Sequence, residues 1–176
     1  LIVFLVLIIF LGNFRAGLLV ASVVPLAMLF GFIMMRLFGV SANLMSLGAI
    51  DFGIVVDGSI VILEGILAHL YSKSFVGRKL TREEMDAEVM RGAGKVVRSA
   101  TFAVLIILIV FFPILALSGI EGKYFTPMAK TLVFCIIGAL LLSLTYVPMM
   151  ASVFLKRTPS LKPTFADRFF AWLNKW

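Results

Sequence analysis

Apolar residues fall along this chain in long runs rather than short alternations. Residues 1–11 are apolar throughout, and further runs cover residues 17–38, 44–70, 100–117 and 127–155. A helix rises about 1.5 Å per residue, so a run of about 20 crosses a hydrocarbon core about 30 Å thick. Each of the four later runs is long enough or nearly so. The first covers about half that depth, and it reads as a membrane helix cut at its outer half. The chain is therefore expected to be an internal piece of a longer protein. The expected fold is all-α, a polytopic transmembrane helix bundle over residues 1–155. Pro25, Pro113 and Pro148 fall inside runs, where neighbouring helices can satisfy the freed backbone groups.

The polar stretches set the expected orientation. If the runs span in turn, residues 12–16, 71–99 and 156–176 lie on one side and hold most of the Lys and Arg. The opposite side has only Arg36, Lys123 and Lys130. The positive-inside rule puts the first set in the cytoplasm. Within 71–99, Thr81-Arg82-Glu83-Glu84 has capping-box spacing and predicts a polar helix from there to about Arg98. In the tail, Phe165, Phe169, Phe170, Trp172, Leu173 and Trp176 recur at helical spacing, with Asp167, Arg168, Asn174 and Lys175 between them. That pattern predicts an amphipathic helix on the inner membrane surface. Packing on another cytoplasmic element is the alternative.

Composition agrees with the pattern. The chain is 62% hydrophobic and 14% charged, against about 45–50% and about 25% in a soluble domain. An ordinary soluble domain and a disordered chain are excluded. Sixteen Lys and Arg against nine Asp and Glu give a net charge of +7. In a soluble protein that excess would suggest nucleic acid; here it marks one side of a membrane, and no nucleic-acid partner is expected. Cys135 is the one cysteine, so no internal disulfide is possible.

The candidate chemistry lies in the third run. Asp51, Asp57 and Glu64 sit inside it, with Gly48, Gly53 and Gly58 nearby. A charged Asp near the bilayer centre costs roughly 2.5–3.5 kcal/mol on the translocon scale. Burial in a bundle, a cation, water or a bound proton must offset that cost. At about 100° per residue, Asp57 and Glu64 differ by only about 20° around a helix and by about 10 Å along it. Gly53 shares that face, whereas Asp51 lies about 120° away. The glycines allow close approach of neighbouring helices. Desolvation raises a carboxyl pKa and a nearby cation lowers it, so a moving partner could load and unload a proton. A proton or cation site is one reading; a structural polar cluster is the other, and Glu64 could also snorkel to water. Carboxylates alone would suit Mg²⁺ or Ca²⁺. His69, the one histidine, reads as an interfacial residue, Cys135 as a small core residue, and the methionines as gap-fillers.

The motif around these acids is specific. Asn13-Phe14-Arg15-Ala16, the segment Gly39-Val40-Ser41-Ala42-Asn43-Leu44-Met45-Ser46-Leu47-Gly48, and the Asp51…Asp57…Glu64 pattern resemble the resistance–nodulation–division superfamily. With Ala116-Leu117-Ser118-Gly119-Ile120-Glu121-Gly122-Lys123-Tyr124-Phe125 they resemble its heavy-metal efflux branch, the cobalt–zinc–cadmium type. The resemblance covers essentially the whole chain, as the second to sixth membrane helices of the first half. It implies a bacterial inner-membrane, proton-driven exporter, a secondary transporter rather than an enzyme. It also implies a homotrimer working with a periplasmic adaptor and an outer-membrane channel. Asp51, Asp57 and Glu64 match the fourth-helix acids associated with proton coupling. The first Asp favours divalent Zn²⁺, Co²⁺, Cd²⁺ or Ni²⁺ as substrate, with no resident cofactor. The metal-selecting residues and the usual lysine partner fall outside this chain. Alternatives are a related accessory subunit of protein translocation, or a pump for Cu⁺/Ag⁺ or drugs.

Overall fold

The computed structural model describes residues 14–41, 48, 52–71 and 80–155. The expected spans at 1–11 and the expected tail helix over 156–176 lie outside the described residues. The described elements are four helices: α1 (Phe14–Leu37), α2 (Phe52–Leu70), α3 (Arg82–Leu115) and α4 (Gly119–Phe154). All four are long and apolar enough to cross a membrane.

The termini follow from local chemistry. After α1, Gly39 takes φ 64°. Its N–H donates to the Arg36 carbonyl at 3.5 Å, and the Val40 N–H donates to the Met35 carbonyl at 2.9 Å. This is the Schellman arrangement, in which a left-handed residue lets the chain turn back onto the last carbonyls. At the start of α3 the capping box is present. Thr81 Oγ1 accepts from the Glu84 N–H at 3.3 Å, and Glu84 Oε2 accepts from the Thr81 N–H at 3.0 Å. Thr81→Ala removes one of these bonds and is expected to cost about 1 kcal/mol. Thermal unfolding of the purified full-length protein measures that cost.

Two elements run further than the sequence pattern predicts. The polar helix opening after Thr81 and the span over 100–117 are one continuous helix, α3. The composition changes near Ala100, but no proline breaks the backbone until Pro113, and helical hydrogen bonding carries through the change. The last span starts at Gly119 (φ 77°) rather than at Pro127. Pro127 is accommodated inside α4, where Thr131 Oγ1 donates to its carbonyl at 2.8 Å.

The helices pack as an antiparallel bundle with α4 at its centre. α4 contacts α1, α2 and α3; α2 also packs on both α1 and α3. Ala16 and Leu19 of α1, Leu67 and Leu70 of α2, Leu80 and Met85 at the start of α3, and Ala151 and Leu155 at the end of α4 join one buried cluster. These segments therefore share one end of the bundle. Arg15 Nη1 closes that end by donating to the Phe154 carbonyl at 3.1 Å, where the negative end of the α4 dipole favours a cation.

Candidate functional site

α2 carries the candidate acids, and its periodicity decides where they point. Val55, Ser59, Ile62 and Ile66 are buried, and they mark the face packed on the other helices. Gly53, Asp57, Val61 and Ala68 are exposed, on the opposite face, with Glu64 half-buried beside them. α2 is unbroken from Phe52 to Leu70, so Asp57 and Glu64 keep the two-turn relation expected of them. The structure thus brings these two acids to one outward face of the bundle. Asp51 lies outside the described residues.

The glycines divide. Gly58 is buried, and a Cβ there would lie 3.5 Å from Val104 of α3 and 3.6 Å from Ser143 Oγ of α4. It sits where three helices meet, one residue from Asp57. Gly53 is on the outward face with Asp57, and Gly48 is exposed, with nothing among the described residues within 4 Å of its Cβ position.

Two features add to the sequence reading, which offers Ser59 only as a small residue beside the glycines for close helix packing. The first is Ser59, whose fully buried Oγ has no hydrogen-bond partner among the described residues. It lies on the packed face, opposite the acids. Alternation around the helix could have placed it inside, but a lone Ser among Val and Ile carries no signal of chemistry.

The second is a charged cluster at the end of α2. His69 Nε2 lies 2.7 Å from Glu88 Oε2, and Lys95 Nζ lies 3.0 Å from His69 Nδ1. Arg91 Nη1 donates to Glu88 Oε1 at 2.6 Å. A lysine ammonium can only donate, so His69 Nδ1 accepts and Nε2 carries the proton given to Glu88. Glu88 is only 8% exposed, and these partners satisfy both its oxygens. His69 is thus a link between α2 and α3. The spacing of Glu88 and Arg91 signals an ion pair on one helix, but nothing in the sequence shows that His69 joins it.

Among the described residues, no group of three or more His, Cys, Asp or Glu side chains is placed to hold a metal ion. A cavity of about 410 Å³ opens at the other end of the bundle, between the end of α1 and the start of α4. Phe38, Ser41, Ser118, Lys123 and Lys130 line part of it, with no carboxylate among the described lining residues. The arrangement on α2 sets two carboxyl groups, Asp57 and Glu64, on one side of a single helix, where each can take up and release a proton.

Comparison with known proteins fits this architecture. The chain is 48% identical over 174 residues to the cobalt-zinc-cadmium resistance protein CzcA of Cupriavidus metallidurans, covering 98% of this chain and 16% of that protein. It is 43% identical over 148 residues to the nickel and cobalt resistance protein CnrA of the same organism, covering 84% of this chain and 14% of that protein. A crystal structure of a heavy metal efflux pump superposes with a TM-score of 0.72 at 39% identity, over 86% of this chain and 14% of that one. The chain therefore spans only about one-sixth or less of the length of these relatives. The AcrB/AcrD/AcrF family model matches residues 1–176, and with an all-α bundle of membrane-spanning length beneath that match, the chain belongs to this family of resistance–nodulation–division transporters.

Proposed function

We propose that this chain is the coupling part of a proton-driven exporter of divalent heavy-metal cations. The observation that carries the reading is the outward face of α2. Asp57 and Glu64 share it, on the side of α2 turned away from the buried residues that pack on the other described helices. Carboxylates placed there suit a partner that moves against α2 and changes their hold on a proton. We assign proton coupling to Asp57 and Glu64, together with Asp51. Gly58 supports them by letting α3 and α4 approach the backbone beside Asp57.

The energetics are adequate. One charge moving through about 100 mV gains about 2.3 kcal/mol, so several protons can drive a divalent cation uphill. The names of the relatives support cobalt, zinc, cadmium and nickel as substrates over Cu⁺/Ag⁺, drugs or a role in protein translocation. The metal is cargo, and no resident cofactor is proposed. We place the protein in a bacterial inner membrane as a homotrimer, with a periplasmic adaptor and an outer-membrane channel. The end bearing Arg15, His69 and Thr81 faces the cytoplasm, following the loop charges.

The test is transport by the full-length protein in proteoliposomes. An imposed proton gradient should drive Zn²⁺, Co²⁺, Cd²⁺ or Ni²⁺ against its own gradient, and adding metal should in turn move protons. Proton flux indifferent to all four metals would overturn the reading.

A further inference from the structure

α3 has a face that none of the other described helices covers, and its chemistry is unlike that of the outward face of α2. Only 11% of the most apolar stretch of α3 is buried, against 33–50% for the other three spans. Phe102, Leu105, Ile109 and Phe112 are exposed there at 56%, 43%, 69% and 72%. Their spacing of three and four residues puts them on one side of the helix. The same spacing continues backwards through Arg98, Lys95 and Arg91, all exposed. One face of α3 therefore reads as three cations followed by a bulky apolar stripe.

That composition discriminates between occupants. Helix interfaces inside membranes are enriched in small residues that let backbones approach. The outward face of α2 fits that description, with Gly53 and Ala68 beside its acids. The stripe on α3 is Phe, Leu and Ile, which suits fluid acyl chains. Arg98 to Ile109 covers about 17 Å of rise, close to the depth of one leaflet, half of an about 30 Å core. Arg98 thus stands at headgroup level when the stripe is in hydrocarbon.

The cations are also available. Arg98 has no hydrogen bond or ion pair among the described residues. Lys95 directs one contact to His69, and Arg91 donates one hydrogen bond to Glu88, so both have donors to spare. Further back the same spacing meets Glu88, which is buried and paired with His69 and Arg91, and then Glu84, whose carboxylate accepts from the Thr81 N–H in the helix cap.

We propose that this face of α3 binds an anionic phospholipid. The phosphate sits on Arg98 with Lys95 and Arg91, and the acyl chains lie along Phe102, Leu105 and Ile109. Assignment to the cytoplasmic leaflet rests on the orientation proposed above; the preference for an anionic headgroup does not.

The experiment uses the full-length transporter in nanodiscs, in a background lacking other reactive cysteines, with a fluorophore on Leu105→Cys. Quenching by phosphatidylglycerol with a mid-chain nitroxide is compared with quenching by phosphatidylcholine carrying the same label. The expected result is stronger quenching by phosphatidylglycerol. Arg98→Gln should lower that preference about fivefold, as expected for one interfacial cation at low salt. Arg82→Gln, exposed on the opposite side of α3, should leave it unchanged. Absence of quenching by either lipid would mean that protein covers the face, and would overturn the proposal. Equal quenching by both, or a preference indifferent to Arg98→Gln, would overturn it as well. Where the labelled Leu105 variant does not assemble, Ile109→Cys one turn away carries the label.

Discussion

Asp57→Asn in the full-length transporter is expected to reduce metal-dependent proton flux to the leak rate while leaving the protein at least as stable as before. The two halves of this expectation come from the same property of the carboxylate. In a span, an ionised Asp costs roughly 2.5–3.5 kcal/mol on the translocon scale. Asn keeps the size and much of the hydrogen bonding of Asp but has no proton to exchange, so the cost falls and the chemistry vanishes. A residue held for packing would behave in the opposite way, with stability lost and flux merely weakened. Asp57 is suited to the first role because it lies on the outward face of α2, away from the buried residues that hold the bundle together. A pH-sensitive dye inside proteoliposomes reads the flux, and thermal unfolding reads the stability. Wild-type flux in the variant would remove Asp57 from the coupling path. Unfolding with flux still proportional to the folded fraction would assign it to structure.

The relation between Asp57 and Glu64 is legible in the sequence because it is local. Seven residues on an unbroken helix fix two side chains on one face whatever surrounds them. Which face of α2 is covered is not local. It depends on α3 and α4, whose contact with Gly58 comes from residues about 45 and 85 positions further along the chain. The same distinction explains the helix limits. The capping box at Thr81 and the turn at Gly39 are written in four or five consecutive residues. The continuity of α3 is hidden by a change from polar to apolar composition near Ala100, which resembles an element boundary although the backbone ignores it. His69 shows the limit most clearly. Its place near the end of a span is readable, but its contacts with Glu88 and Lys95 cross a turn and join two helices.

The seam between those two helices carries the second large expected effect, through a matched pair of glycines on α3. Gly92→Leu is expected to destabilise the full-length protein by about 3 kcal/mol, the upper part of the range for overpacking a well-packed interior. Gly94→Leu, two residues away, is expected to stabilise it by about 0.5–1 kcal/mol, because Gly is a poor helix former. Both substitutions relieve the same backbone entropy, so their difference reports packing. At Gly92 a Cβ would lie 3.0 Å from Ile66 Cα, 3.1 Å from His69 Cβ and 3.3 Å from the Gly65 carbonyl oxygen, whereas at Gly94 nothing among the described residues lies within 4 Å. The atoms facing Gly92 belong to the α2 backbone or are bonded to it, so no rotamer change can move them aside. Relief requires α2 and α3 to separate, which would also break the contacts of His69 with Glu88 and Lys95. Because α2 carries the acids, the loss should reach transport as well as stability. Thermal unfolding of the two purified variants, with metal-dependent proton flux beside it, tests the argument. Equal stability of Gly92→Leu and Gly94→Leu would mean that the close seam between α2 and α3 does not hold the acid-bearing helix in place.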